Sequence, residues 1–172
     1  HLSGNYSDYS FVRQNQILKV QDNRDNQFKS TDQLLNIEYI TFADQTVEVS
    51  NITTYHGTDN DDLINPLTDD NIIYGLAGND IIVGNSGDDT IYGGDGNDEI
   101  YGGDGADRLY GGDGWDYIDG GLSSDYAHFS GNYSDYSFVR QNQILKVQDN
   151  RDNQYKSTDQ LVNIEYITFA DQ

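Results

Sequence analysis

Gly93-Gly94-Asp95-Gly96-Asn97-Asp98-Glu99-Ile100-Tyr101 runs without a gap into Gly102-Gly103-Asp104-Gly105-Ala106-Asp107-Arg108-Leu109-Tyr110 and then Gly111-Gly112-Asp113-Gly114-Trp115-Asp116-Tyr117-Ile118-Asp119. The three nonapeptides share glycine at positions one, two and four, aspartate at position six and an aliphatic residue at position eight. Extended in both directions, the frame holds eight units, starting at Gly57, Pro66, Gly75, Gly84, Gly93, Gly102, Gly111 and Gly120, with no insertion. Position six reads Asp62, Asn71, Asp80, Asp89, Asp98, Asp107, Asp116, Asp125; position eight reads Ile64, Ile73, Ile82, Ile91, Ile100, Leu109, Ile118, Ala127. So short a fixed period marks a solenoid, in which a unit buries its apolar residue only by stacking on its neighbours.

Glycine at positions one, two and four lets the backbone turn tightly and leaves carbonyl oxygens uncovered by side chains. Calcium is a hard cation that takes about six to eight oxygens in a flexible shell. Carbonyls from two stacked loops, with aspartate carboxylates, can supply them. The candidate ligands are the carboxylates of Asp62, Asp80, Asp89, Asp98, Asp107, Asp116 and Asp125. The loop backbone is set by Gly75 and Gly78, Gly84 and Gly87, Gly93 and Gly96, Gly102 and Gly105, and Gly111 and Gly114. Without the cation these carboxylates repel one another. The unit Pro66-Leu67-Thr68-Asp69-Asp70-Asn71 lacks both the glycines and the sixth-position acid, so a site using Asn71 is expected to be poor. Ser123 stands where the fourth-position glycine belongs, and the Asp125 site is expected to be weaker. The three residues after each aspartate are expected to form a very short strand, the eighth position pointing inward and the seventh and ninth outward.

Composition agrees. Only 35% of the 172 residues are hydrophobic, and 30 acidic against 9 basic residues give a net charge of -21. Between Gly57 and His128 stand seventeen acidic residues against the single basic Arg108. Such a charge repels phosphate backbones and anionic lipid, which excludes nucleic-acid and membrane-surface partners. A disordered acidic linker would share the composition; eight units in frame, with position eight aliphatic in all of them, argue for order. There is no cysteine, hence no disulfide framework. No apolar run approaches the roughly 20 residues of a membrane-spanning helix, so no membrane insertion is expected. With His1 first and no signal peptide visible, the chain reads as a fragment, expected to be monomeric.

The nonapeptides starting at Gly93, Gly102 and Gly111 resemble the G-G-x-G-x-D-x-U-x calcium repeat of repeats-in-toxin (RTX) proteins. The resemblance implies an all-β, right-handed parallel β-roll. Consecutive units would lie on alternate sides, so that loops 18 residues apart stack and sandwich calcium. It pairs Asp62 with Asp80, Asp80 with Asp98 and Asp98 with Asp116 on one side, and Asp89 with Asp107 and Asp107 with Asp125 on the other. About four or five calcium ions follow from that pairing. The resemblance also implies a secreted or cell-surface protein exported by type I secretion.

A coarser repeat surrounds the finer one. His128 to Gln172 repeats His1 to Gln45 at an offset of 127, with three changes: Leu2 to Phe129, Phe28 to Tyr155 and Leu35 to Val162. The parent is read as a tandem array whose neighbouring copies are its partners. The chain divides into a strand-rich flanking module (1–56), the roll (57–128) and a second flanking copy (129–172). In the first copy Tyr9 to Gln14 and Gln16 to Gln21 alternate as in a hairpin, followed by a turn-rich break at Asp22-Asn23-Arg24-Asp25-Asn26. Ser30-Thr31-Asp32-Gln33-Leu34-Leu35 is expected to cap a short helical turn, and Glu38 to Phe42 to resume a strand. A solenoid end exposes strand edges and core, so the second copy is placed to cap the roll, and the first to cap a preceding one.

No catalytic constellation stands out. The histidines are His1, His56 and His128, with no G-x-S-x-G or H-E-x-x-H run and no Gly-Lys-Ser or Gly-Lys-Thr phosphate loop. The aspartate spacing is already accounted for by metal ligation, and an enzyme is not expected. Tyr74, Tyr92 and Tyr110 recur every 18 residues at outward positions. They read as sheet-covering neighbours, with an extracellular polysaccharide as the alternative partner. Asn5-Tyr6-Ser7, Asn51-Ile52-Thr53 and Asn132-Tyr133-Ser134 fit the glycosylation triplet and are assigned no function.

Overall fold

The structure is a computed structural model that describes residues 9–14, 17–22, 31–34, 39–41, 46–48, 54–66, 69–151 and 157–172. The triplets at Asn5 and Asn51 and the turn at 23–26 lie outside the described residues. In chain order the first flank contributes β1 (Tyr9–Gln14), β2 (Ile17–Asp22), β3 (Thr31–Leu34), β4 (Tyr39–Thr41) and β5 (Thr46–Glu48). Just ahead of the repeats comes β6 (Thr54–His56), and the repeats form β7 (Leu63–Ile64), β8 (Ile72–Ala77), β9 (Ile81–Ser86), β10 (Thr90–Asp95), β11 (Glu99–Asp104), β12 (Arg108–Asp113), β13 (Tyr117–Leu122) and β14 (Tyr126–His128). The second flank adds a 3-10 turn, Tyr133–Asp135, then β15 (Tyr136–Gln141), β16 (Ile144–Asp149), β17 (Thr158–Val162) and β18 (Tyr166–Thr168).

The roll strands sort into two parallel stacks. Even-numbered strands run β6-β8-β10-β12-β14 and odd-numbered ones β7-β9-β11-β13. Partners are 18 residues apart: Ile73 faces Ile91, which faces Leu109, and Ile82 faces Ile100, which faces Ile118. Consecutive units therefore lie on opposite sheets. The eighth-position residues Ile64 to Ala127 are at most 1% exposed and fill the space between the sheets. Burying a branched aliphatic side chain stabilises by about 1.5–3 kcal/mol. The core between the sheets is one residue deep.

Strands such as β11 are six residues long rather than very short. They run on through positions one to three of the next unit, where Gly94 faces Gly112 and Asp95 faces Asp113. The backbone bends at position two yet keeps its ladder, a path that needs positive φ: +120° at Gly94, and +83° and +78° where Leu76 and Asn85 stand there instead. Position four is likewise left-handed, at φ +135° in Gly96 and also +95° in Ser123.

Both sheets extend past the expected roll. At the start, Tyr55 takes the core position opposite Ile73 and is 1% exposed. At the end, β17 adds parallel to β13 and β18 parallel to β14, carrying Leu161 against Ile118 and Ile167 against Ala127. Within the helical turn expected at Ser30–Leu35, the described residues Thr31–Leu34 are the strand β3, and the same sequence in the second copy forms the strand β17. In β17 Asp159 and Leu161 are buried while Gln160 between them is exposed. That two-residue period suits a sheet, and the sheet wins over a local cap because Asp159 has a backbone donor to meet there. The hairpin pattern corresponds to β1-β2 and to β15-β16, both antiparallel. The first flank packs on this roll: β1 lies against β6 and β7, and Tyr9 and Val20 join its core cluster.

Left-handed backbone at a residue with a Cβ costs about 1–2 kcal/mol. Ser123→Gly and Leu76→Gly should each stabilise the calcium-loaded chain by about 1 kcal/mol, after allowing for the extra entropy of glycine in the unfolded state. An unchanged or lower thermal midpoint in both variants would contradict this account of the loops.

Candidate metal centre

Each sixth-position aspartate uses its two oxygens differently. Oδ1 accepts the backbone N–H of the sixth-position residue 18 earlier: Asp62 N–H donates to Asp80 at 2.8 Å, Asp80 to Asp98 at 2.8 Å and Asp98 to Asp116 at 2.9 Å. On the other side Asn71 donates to Asp89 at 2.7 Å, Asp89 to Asp107 at 2.8 Å and Asp107 to Asp125 at 2.9 Å. Two carboxylate ladders thus climb the roll. Oδ2 of Asp80, Asp89, Asp98, Asp107, Asp116 and Asp125 is buried without a hydrogen-bond partner. These residues are at most 2% exposed. A buried carboxylate oxygen with no donor is costly unless something positive meets it.

The orphaned oxygens point into the glycine turns. A methyl group built on Gly84, Gly93, Gly102 or Gly111 would collide with Oδ2 of the aspartate five residues on. At Gly96, Gly105 and Gly114 it would collide with the carbonyl oxygen of Gly78, Gly87 and Gly96 respectively. Gly75 meets Asp80 Oδ2 and the Gly93 carbonyl, and Gly78 and Gly87 sit against the backbone of Asn60 and Asp69. Among the described residues no three carboxylate or imidazole side chains converge on one point. A cation here would draw most of its oxygens from the backbone. The donor set is all oxygen, carbonyl and carboxylate, which fits a hard divalent cation such as calcium. Asp80, Asp89, Asp98, Asp107, Asp116 and Asp125 are the residues that would hold it, one from each stacked loop.

Two rungs differ. Oδ2 of Asp62 accepts from Thr58 N–H at 2.6 Å and from the Thr58 hydroxyl at 2.9 Å, a hydroxyl that exists because threonine replaces the second glycine. Asn71 offers no carboxylate; its amide donates to Asp89 Oδ1 at 3.1 Å. Asp125 keeps an orphaned Oδ2 although Ser123 sits in its loop.

A family model describing the RTX calcium-binding nonapeptide repeat matches residues 56–91, 66–100 and 92–127. Residues 56–127 belong to the RTX calcium-binding repeats. Among solved structures, the chain is similar to the extracellular lipase LipA from Serratia marcescens, at 17% identity over 95% of this chain and 30% of that one, TM-score 0.47. It is also similar to the AlgE6R3 subunit of the Azotobacter vinelandii mannuronan C5-epimerase, at 23% identity over 67% of this chain and 82% of that one, TM-score 0.49. The chain thus spans under a third of the lipase's length. No curated protein matches by sequence.

Three features of this RTX roll escaped the sequence reading. Asp159 Oδ1 accepts from Asp116 N–H at 3.1 Å, and Glu165 Oε2 from Asp125 N–H at 2.9 Å, so the second flank supplies the last rung of both ladders. The signal was present: Asp159-Gln160-Leu161 and Glu165-Tyr166-Ile167 repeat the carboxylate-x-aliphatic triplet of the nonapeptide, but six residues apart instead of nine. The third is a ladder at position five. Asn79 N–H donates to Asp61 Oδ1, Asn97 to Asn79 and Trp115 to Asn97, at 2.8, 2.9 and 2.8 Å. Asp88 and Ala106 continue the same pattern on the other side. Trp115 and Ala106 lack an acceptor and are the last donors of their columns among the described residues.

Burial pushes the carboxyls of Asp80 and Asp89 up to about 6 and those of Asp107, Asp116 and Asp159 up to about 7. Asp98 and Asp125 move upward for the same reason. The accepted N–H pulls each back, and neighbouring carboxylates push again, as Asp89 and Asp125 do at Asp107. A carboxyl raised on folding means that the fold binds more protons than the unfolded chain between about pH 4 and 7. The contribution of these carboxyls to cation-free stability is therefore full below about pH 4 and lost as pH rises through 6 to 7. Binding of a cation that needs the ionised form strengthens over that window. Calcium titrations followed by circular dichroism should give affinity that falls steeply from pH 7.5 to 5.5; a flat profile would contradict the assignment.

Substitution separates the two oxygens' roles. Asp98→Asn keeps an acceptor for Asp80 N–H and should lose calcium stoichiometry by calorimetry while remaining foldable. Asp98→Ala also leaves that N–H unpaired, a further loss of about 1–3 kcal/mol. Equal behaviour of the two variants would count against the division of labour.

Proposed function

We propose that this chain is a calcium-folded structural module of a secreted RTX protein, serving as a rigid, charged spacer between neighbouring units of an adhesin, surface-layer or matrix type. The observation that carries the reading is the run of six buried, unpartnered Oδ2 atoms, one per loop. A fold whose core is one residue deep, and whose loops hold carboxylates against each other, gains its stability from a bound divalent cation. Low calcium inside a cell leaves such a segment unfolded, and the higher calcium outside folds it. Export in an unfolded state by a type I route suits that order of events.

The proposed role is non-catalytic. The buried carboxylates from Asp80 to Asp125 sit in similar environments along each ladder, and among the described residues no pair of them is set apart as acid and base. The even-sheet aromatic column weighs against a polysaccharide role. His56, Tyr74, Tyr92, Tyr110 and His128 stack face to face at centroid distances of 4.8, 5.0, 4.5 and 4.4 Å. Rings that spend their faces on one another turn their edges outward, and a sugar's C–H face needs an aromatic face. Among the described residues no helix is long and apolar enough to cross a membrane.

Chelation should abolish the β signal of residues 57–128 in circular dichroism and move the emission of Trp115, the single tryptophan, which is 66% exposed beside Asp116. Restoring calcium should recover both. A spectrum indifferent to chelator would sink the calcium-folding reading.

A further inference from the structure

The two flanking copies share their sequence but not their neighbours, and the difference singles out β18. Its counterpart in the first copy, 127 residues earlier, is β4. There β4 pairs antiparallel with β5, Tyr39 facing Glu48, Ile40 facing Val47 and Thr41 facing Thr46. In the first copy the residues of β5 follow directly on Gln45, the counterpart of Gln172. In the second copy β18 is the end strand of its sheet, paired with β14 alone among the described residues.

Which edge of β18 is open follows from its hydrogen bonds. Tyr166 N–H donates to Asp125 carbonyl at 3.0 Å, and Thr168 carbonyl accepts Phe129 N–H at 3.0 Å. Both end residues thus turn their polar backbone toward the roll. Successive residues of a strand alternate, so the N–H and carbonyl of Ile167 face away from it. An unpaired edge of this kind is a template for another strand. Among the described residues three apolar side chains on this flank lie open: Tyr166 is 50% exposed on β18, Val139 57% on β15 and Tyr133 51% in the 3-10 turn. The first copy also reaches forward, since β1, the counterpart of β15, packs against β6 and β7 of the roll that follows it.

We propose that the open edge of β18 is a docking edge for a further unit of the same kind, taken by a strand equivalent to β5. Ile167 would exchange both backbone hydrogen bonds with the residue standing where Val47 stands. The flanking module is then a two-sided connector. Its β17 and β18 close one roll through the Asp159 and Glu165 rungs, and its outer edge and β15 receive the next. This rests on the tandem-array reading and adds the surface through which units join.

The test appends a second copy of residues 46–128 after Gln172 and follows amide hydrogen exchange in calcium. The Ile167 amide should exchange at least tenfold more slowly in the extended chain than in the 172-residue chain. An extension carrying the equivalent of Val47→Pro, which removes the donor facing Ile167, should return it to the faster rate. Equal Ile167 exchange in all three chains, with the calcium-induced dichroism intact in each, overturns the docking edge and leaves the calcium-folding reading standing. Loss of the dichroism itself in the parent chain would count against that reading instead.

Discussion

The roll depends on a carboxylate that is asked to do two things at once. Each sixth-position aspartate from Asp80 to Asp125 must accept a backbone N–H from the loop 18 residues earlier, which fixes the stacking register, and must bury its second oxygen where no protein donor reaches it. The first task stabilises the stack through a charge-assisted bond. The second destabilises it, through desolvation and through the repulsion of the next carboxylate along the ladder. A divalent cation held between loops would reverse the sign of the second contribution without disturbing the first. In the proposed reading stability is thereby tied to an external ion rather than to apolar burial, which is slight in a core one residue deep.

The same constraint explains the ends. A ladder of donors and acceptors cannot simply stop: its last N–H needs an acceptor, and the last pair of strands needs a partner. Asp159 and Glu165 meet the last N–H groups of the two ladders, and β17 and β18 add to the two sheets in register. At the other end Thr58 quiets the free oxygen of Asp62, so the first rung is closed by a hydroxyl and an amide. The tyrosine column adds a second register-keeping element, its rings stacking at the same 18-residue spacing as the carboxylates.

Much of this was legible in the residues. The nine-residue period identified the solenoid and the inward eighth position, and it pointed to the sixth-position carboxylates as candidate ligands. The Gly-rich turns then placed carbonyls beside carboxylates, and the structure brings those groups together in the expected 18-residue stacking. What was not legible came from groups whose partner is distant in sequence. Asp159 meets Asp116 across 43 residues, so the same local sequence in the first copy, Ser30-Thr31-Asp32-Gln33, reads as a helix cap when taken alone. The strands proved longer than the three residues after each aspartate, because glycine at position two lets the backbone bend without giving up its ladder. The fifth-position ladder hid for the opposite reason: Asp61, Asn79 and Asn97 resemble ordinary turn residues, and only the stacked geometry gives their Oδ1 atoms a donor.

The central claim is that a cation sits against Oδ2 of the stacked aspartates, and anomalous diffraction from crystals grown in calcium tests it most directly. The account predicts calcium peaks between loops 18 residues apart, within about 2.3–2.6 Å of Oδ2 of Asp89, Asp98 and Asp107 and of neighbouring loop carbonyls. A folded, calcium-soaked roll with no anomalous peak beside these oxygens would contradict it.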